Sequence, residues 1–134
     1  MQLTRKVILK AIVTEDFKRR FDAQIGSLIS EIKIELDKIK SSEQQLMLKV
    51  GSLDYNQVMQ VREQLEGEKH SRESTIKELE TRLKQVKDMK EGDLFTQGTL
   101  DSIVDVEIGD NLDTKLARAE IVVKDGVVQS IKEG

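Results

Sequence analysis

The sequence predicts an α+β protein: a long antiparallel helical hairpin, a coiled coil, projecting from a small β-sheet or barrel formed by both termini. Three observations predict it. Apolar residues recur in steps of three and four over two stretches of nearly equal length. A Gly51-Ser52 pair separates the stretches. Runs of β-branched and aliphatic residues occupy the two ends of the chain. Steps of three and four line one side of a helix, whereas β-branched runs suit strands. Residues 1–14 with 91–134 should therefore form the β base, and residues 15–90 the hairpin, with its turn near 51–54.

The first element is the stretch LTRKVILKAIV at residues 3–13, which reads as a strand. Thr14 follows as an N-cap, with Glu15 and Asp16 in the first turn, where the helix dipole favours acids. The first helix should run from about 15 to 50. Its stripe is Phe17, Phe21, Ile25, Leu28, Ile32, Leu36, Ile39, Leu46 and Val50, with a gap at Glu43. Gly51 suits a helix end, and Ser52 or Asp54 can cap the next helix. That helix should reach about Lys90, ended by Glu91-Gly92. Its stripe is Val58, Val61, Leu65, Ile76, Leu79, Leu83 and Val86, with Lys69 and Arg72 in the middle.

Folding at Gly51-Ser52 sets Val50 against Val58, Leu46 against Val61, Ile32 against Ile76, and Leu28 against Leu79. A slip of one heptad fits nearly as well. Whether the arms pair within one chain or swap between two stays open. At ~1.5 Å per residue, each arm would be ~50 Å long. Gly67, inside the polar stretch from Glu66 to Thr75, is the expected weak point of the second arm.

The last third returns to β structure. Leu94–Leu100 and Ser102–Ile108 read as two strands and Gly109-Asp110-Asn111 as a turn. Ala119–Lys124 and Val127–Lys132 flank Asp125-Gly126, the strongest short hairpin signal a sequence offers. Closing the sheet with strand 3–13 should bury Val7, Leu9, Val104, Val106, Ile121, Val123, Val128 and Ile131. A base of this size is marginal alone, so packing against the hairpin's root is expected.

The stretch TLDSIVDVEIGDNLDTKLARAEIVVKDGVVQSIKE resembles the C-terminal signature of the small, uncharacterised bacterial YlqD-like family, and KVILKAIVTE resembles its N-terminal strand. The hairpin is similar in length and character only. IVVKDGVV is the most specific piece, and as a motif it is a turn that carries no chemistry. The resemblance implies the architecture and no established activity. Family members often lie near genes for ribosomal proteins and RNA-maturation enzymes, which implies a lean towards ribosome-related work.

Composition limits the functions available. Charged residues make up 35%, aromatics 3%, and proline and cysteine are absent. Such a chain suits long solvated helices, and has no disulfide, zinc-thiolate site or thiol nucleophile. No apolar run approaches the roughly 20 residues that span a bilayer. The N-terminal stretch reads as a strand and not as a signal peptide, so the expected location is the cytoplasm, with no membrane partner. Residues 15–90 balance 15 bases with 15 acids, whereas residues 91–134 hold 10 acids and 4 bases. An acidic end is a poor phosphate-binding surface.

Candidate sites are few. His70 lies on a helix without ligand spacing around it. Asp101, Asp105, Glu107, Asp110 and Asp113 form an acidic run, with Asp105 and Glu107 on one face of a strand, but without calcium-loop spacing. Whether that face takes a cation stays open. Gly98, Gly109 and Gly126 are separate turn residues, not a phosphate loop. Arg5, Lys6, Lys10, Lys18, Arg19 and Arg20 could meet RNA phosphates, but no aromatic residue is interleaved with them.

The hairpin tip offers the better lead. Leu48, Leu53, Tyr55 and Met59, beside Met47, fall outside the facing seam, and either cover the turn or form a surface for a partner or a second copy. No nucleophile, base and orienting group can be assembled, so an enzyme is not expected, nor a cofactor, metal or small-molecule substrate. The expected function is a non-enzymatic interaction or assembly module, protein-binding and homo-oligomeric. A ribosome- or RNA-associated accessory factor is one alternative. A membrane-fusion-adaptor-like transport component is the other, although no lysine stands at a strand-region turn where a lipoyl group would sit.

Overall fold

β1 (Gln2–Ile12) leads into α1 (Glu15–Leu48), the first of two helices of equal length in the computed structural model, which describes residues 1–51 and 54–133. α2 (Tyr55–Asp88) follows, then β2 (Leu94–Asp105), a short α3 (Leu112–Leu116), β3 (Ala119–Lys124) and β4 (Val127–Lys132). The fold is α+β: two long helices packed as a hairpin, and a four-stranded mixed sheet drawn from both termini. The chain divides into two compact units, residues 1–20 with 86–134, and residues 21–85. The division falls inside both helices, so the first turn of α1 and the last of α2 group with the sheet.

In the first unit the strand order is β2-β1-β3-β4. β1 runs antiparallel to β2 along its whole length, from Gln2 opposite Asp105 to Ile12 opposite Leu94. It runs parallel to β3, with Val7 opposite Ala119. The sheet is open, so the closed barrel is excluded. Residues 94–105 form one strand where two were expected. The long β1 template pairs them continuously, and a bulge absorbs Gln97 between Gly98 (opposite Leu9) and Thr96 (opposite Lys10).

Pairing register places Val7, Ala11, Phe95 and Ala119 on one face, and all four are buried. Phe17 in the first turn of α1 stacks at a tilt on Phe95, ring centroids 5.9 Å apart, and Val13 and Val86 are the most enclosed side chains. The opposite face carries the ion pairs Lys6–Asp101 at 2.6 Å and Lys10–Glu120 at 3.2 Å. Val128 and Ile131, expected in the core, are exposed, because β4 is an edge strand of an open sheet and has neighbours on one side only. Leu9, Val104, Val106, Ile121 and Val123 are half-buried.

Local signals act as expected at two joints. Thr14 Oγ1 accepts from Phe17 N at 3.0 Å, capping α1. The β3–β4 turn holds Asp125 at φ 49° and Gly126 at φ 83° between the paired Lys124 and Val127. Positive φ at both central residues defines the type I′ hairpin turn.

In the second unit, α1 and α2 share an apolar seam. On α1, beyond the buried Phe21, the seam runs through Ile25, Ile29, Ile32, Leu36, Ile39, Glu43 and Leu46, alternating steps of four and three. Leu28 was expected in this seam, but Ile29 occupies that place and Leu28 sits on its flank, 41% exposed. The helical phase explains the exchange, since a step of four from Ile25 reaches 29. Glu43 is a seam member and not a gap. On α2 the seam holds Val58, Leu65, Lys69, Arg72, Ile76 and Leu79. Val61 lies off it, 42% exposed. One cross-helix pair supports the expected alignment, Arg72 Nε with Glu35 Oε2 at 3.0 Å, while Lys69 Nζ reaches Glu43 Oε2 at 3.9 Å from about one helical turn away.

Candidate interaction surface

The turn of the hairpin gathers most of the apolar residues singled out at the tip. α1 closes at Leu48, its last turn tightened by Lys49 N donating to the Leu46 carbonyl at 3.0 Å. α2 opens at Tyr55, with the Asp54 carbonyl accepting from Val58 N at 3.0 Å. Val58 is buried and closes the seam at this end, and Leu46 and Met59 are half-buried beside the turn. Leu48 is 87% exposed and Tyr55 72% exposed, so these two large side chains do not cover the turn. Met47 and Val50 are exposed with them. Leu53 lies outside the described residues. The result is a cluster of apolar surface at one end of a helix pair whose remaining surface is dominated by charge.

The basic residues near the sheet are differently placed. Arg5 pairs with Glu133 at 3.1 Å, its side chain only 13% exposed. Lys6 and Lys10 pair across the sheet as described, Arg20 with Asp125 at 3.1 Å, and Arg19 with Asp16 one turn away. Lys18 Nζ donates to the carbonyls of Lys87 (3.1 Å) and Met89 (2.5 Å), satisfying acceptors at the end of α2. All six are thus committed to carboxylates or carbonyls of the chain itself. Sequence reasoning missed this because four of the six partners lie about 95 to 130 residues away along the chain.

The acidic run also disperses. Asp101 is held by Lys6, and Asp105 ends β2 while Glu107 lies beyond the strand, so the two do not share a strand face. Asp110 Oδ2 accepts from Glu107 N at 2.8 Å and lies 3.8 Å from Lys115. Among the described residues no three His, Cys, Asp or Glu side chains converge as metal ligands. His70 is exposed on α2.

Sequence reading did not anticipate a shallow cleft of about 550 Å³ between the start of α1 and the β3–β4 turn, where Glu15, Asp16, Glu91 and Asp125 outnumber Lys124. Thr14 Oγ1 and Arg20 already occupy Asp125 Oδ1. In the helical unit, a smaller hollow lies beside Glu43, Leu46, Met47, Arg62 and Glu66, and Glu43 Oε1 is buried there without a hydrogen-bond partner. No described helix is long and apolar enough to cross a membrane.

The family described as YlqD protein matches residues 1–132, and the chain belongs to it. The same fold occurs in a crystal structure of a protein of unknown function from Synechococcus sp. WH 8102. That chain is 27% identical over 99% of this one and 95% of its own length, with a TM-score of 0.85. No curated protein matches the chain.

Proposed function

We propose that this YlqD-family protein is a non-enzymatic interaction or assembly module, cytoplasmic and self-associating, that works through its helical hairpin as a coiled-coil arm. One observation carries the reading: Leu48 and Tyr55 are largely exposed beside the hairpin turn while Val58 closes the seam behind them. Clustered apolar side chains in water are costly unless a partner covers them, which is why such patches characterise interfaces. The ribosome- or RNA-associated reading has less support, because the six basic residues it needs already hold partners within the chain.

The test replaces Leu48 and Tyr55 together by Ser and follows molar mass against concentration by light scattering. The reading expects weaker association with unchanged helical circular dichroism. A variant that associates like the parent removes the tip as the working surface. A variant whose helices melt shows the two residues to be turn packing.

A further inference from the structure

We propose that a second copy of this chain docks along one flank of the hairpin seam. The product is a four-helix bundle in which α1 of each copy lies beside α2 of the other. This deepens the interaction-module reading and rests on it, adding the partner and the surface.

The two flanks of the seam differ in chemistry. Lys33 and Lys40 of α1 border one flank, and Glu66, Glu73 and Glu80 of α2 face them there, a charged edge suited to water. Leu28, Glu35, Ser42 and Lys49 border the other at heptad spacing, with Val61, Glu68, Thr75 and Arg82 on α2, so apolar and neutral residues alternate there with charges of both signs. There Leu28 and Val61 are each about two-fifths exposed, although the seam beside them is closed by Ile29, Leu36, Ile76 and Val58. A single antiparallel pair of helices leaves this flank half covered. A second pair would complete it.

Charge selects a second copy and its orientation. Arg72 and Glu35 form their 3.0 Å pair on this flank, both still partly exposed. With a two-fold axis parallel to the helices, Glu35 of each copy meets Arg72 of the other, and the four charges alternate in sign around the axis. Flipping the second copy end for end sets Glu35 beside Glu35 and Arg72 beside Arg72, which is repulsive. The favoured orientation also brings the two tips, with Leu48 and Tyr55, to the same end of the bundle. The size fits as well: an arm from residue 21 to residue 48 is about 40 Å long, and two helices present a face about 20 Å wide. Roughly 800 Å² per copy is what a standard stable interface buries.

The chain's lack of cysteine makes the test direct. Light scattering on the full chain should give two copies per particle, and Leu28→Asp with Val61→Asp should give one, with helical signal retained. A wild-type chain that stays monomeric at all concentrations overturns the proposal, as does a folded double variant that still dimerises. If the variant fails to fold, cross-linking decides. Leu28→Cys and Arg82→Cys, made in separate chains and mixed under oxidation, should form a mixed disulfide dimer. Coupling of Leu28→Cys chains with Ser42→Cys chains instead would mean the flipped arrangement and overturn the proposed one, and no coupling in either mixture would overturn the dimer. The Leu48, Tyr55 double variant tests the tip separately. Association lost there but kept in the flank variant sinks this inference and spares the tip reading, and the reverse result does the opposite.

Discussion

Thr14 Oγ1 donates to Asp125 Oδ1 at 2.7 Å, tying the cap of the first helix to a turn 111 residues later. The same hydroxyl accepts from Phe17 N, and the same carboxylate oxygen accepts from Arg20 Nη2 at 3.1 Å. One short polar chain therefore joins the N-cap, the first turns of α1 and the β3–β4 hairpin. It holds Phe17 where its ring meets Phe95.

That junction should be sensitive at the turn itself. Gly126, at φ 83°, sits in backbone space that a β-branched residue rarely adopts. Gly126→Val should lower stability by about 1–3 kcal/mol. Asp125→Ala should cost about 1 kcal/mol, since its partners remain partly solvated. Thermal melts of both variants check this, and an unchanged melting temperature for Gly126→Val would contradict the turn geometry.

Within the hairpin, burial predicts an ordered set of losses. Leu36→Ala and Ile76→Ala remove well-enclosed seam side chains and should cost about 2–5 kcal/mol each. Ile34 is mostly exposed on the other side of α1, so Ile34→Ala should change stability by no more than about 0.5 kcal/mol. Urea titrations followed by circular dichroism separate the two classes.

The Glu43–Lys69 pair is a costly part of the seam. Its charges are 3.9 Å apart, and one carboxylate oxygen is buried without a partner. Lys69→Leu alone leaves Glu43 without its cation and should destabilise the hairpin. Replacing both by Leu should raise stability above the parent, by about 1 kcal/mol given the partial exposure of both groups. The order double variant, parent, single variant in melting temperature is the expected result.

RNA binding should be absent under permissive conditions. With Arg5, Lys6, Lys10, Arg19 and Arg20 in ion pairs and Lys18 on carbonyls, a phosphate must displace an existing partner at each. Filter binding at ~50 mM salt, where phosphate contacts are strong, should retain no structured RNA. Retention lost on alanine replacement of these residues would revive that reading.

Much of this protein was legible in its residues because the signals involved are local. The helix start at Thr14, the two-residue turn at Asp125-Gly126 and the two helices each depend on side chains within a turn or two, so periodicity and capping chemistry suffice. The strand 119–124 and its partner 127–132 follow from the turn between them. The exposed tip residues Leu48 and Tyr55 were readable as positions off the stripe. Their exposure required coordinates.

Tertiary structure alone decided the relations between distant segments. That β1 pairs with β2 on one side and β3 on the other, in an open sheet with β4 at its edge, depends on which strands find one another. No local period encodes that choice, so Val128 and Ile131 look like core residues in the sequence and are surface residues in the fold. Leu28 and Ile29 differ by one position along the chain, and only the phase set by the facing helix chose Ile29 for the seam. The basic residues near the N-terminus look free in the sequence. They are neutralised because folding brings Asp101, Glu120, Asp125 and Glu133 beside them, and Coulomb attraction acts over ångströms of space and not over residues of chain.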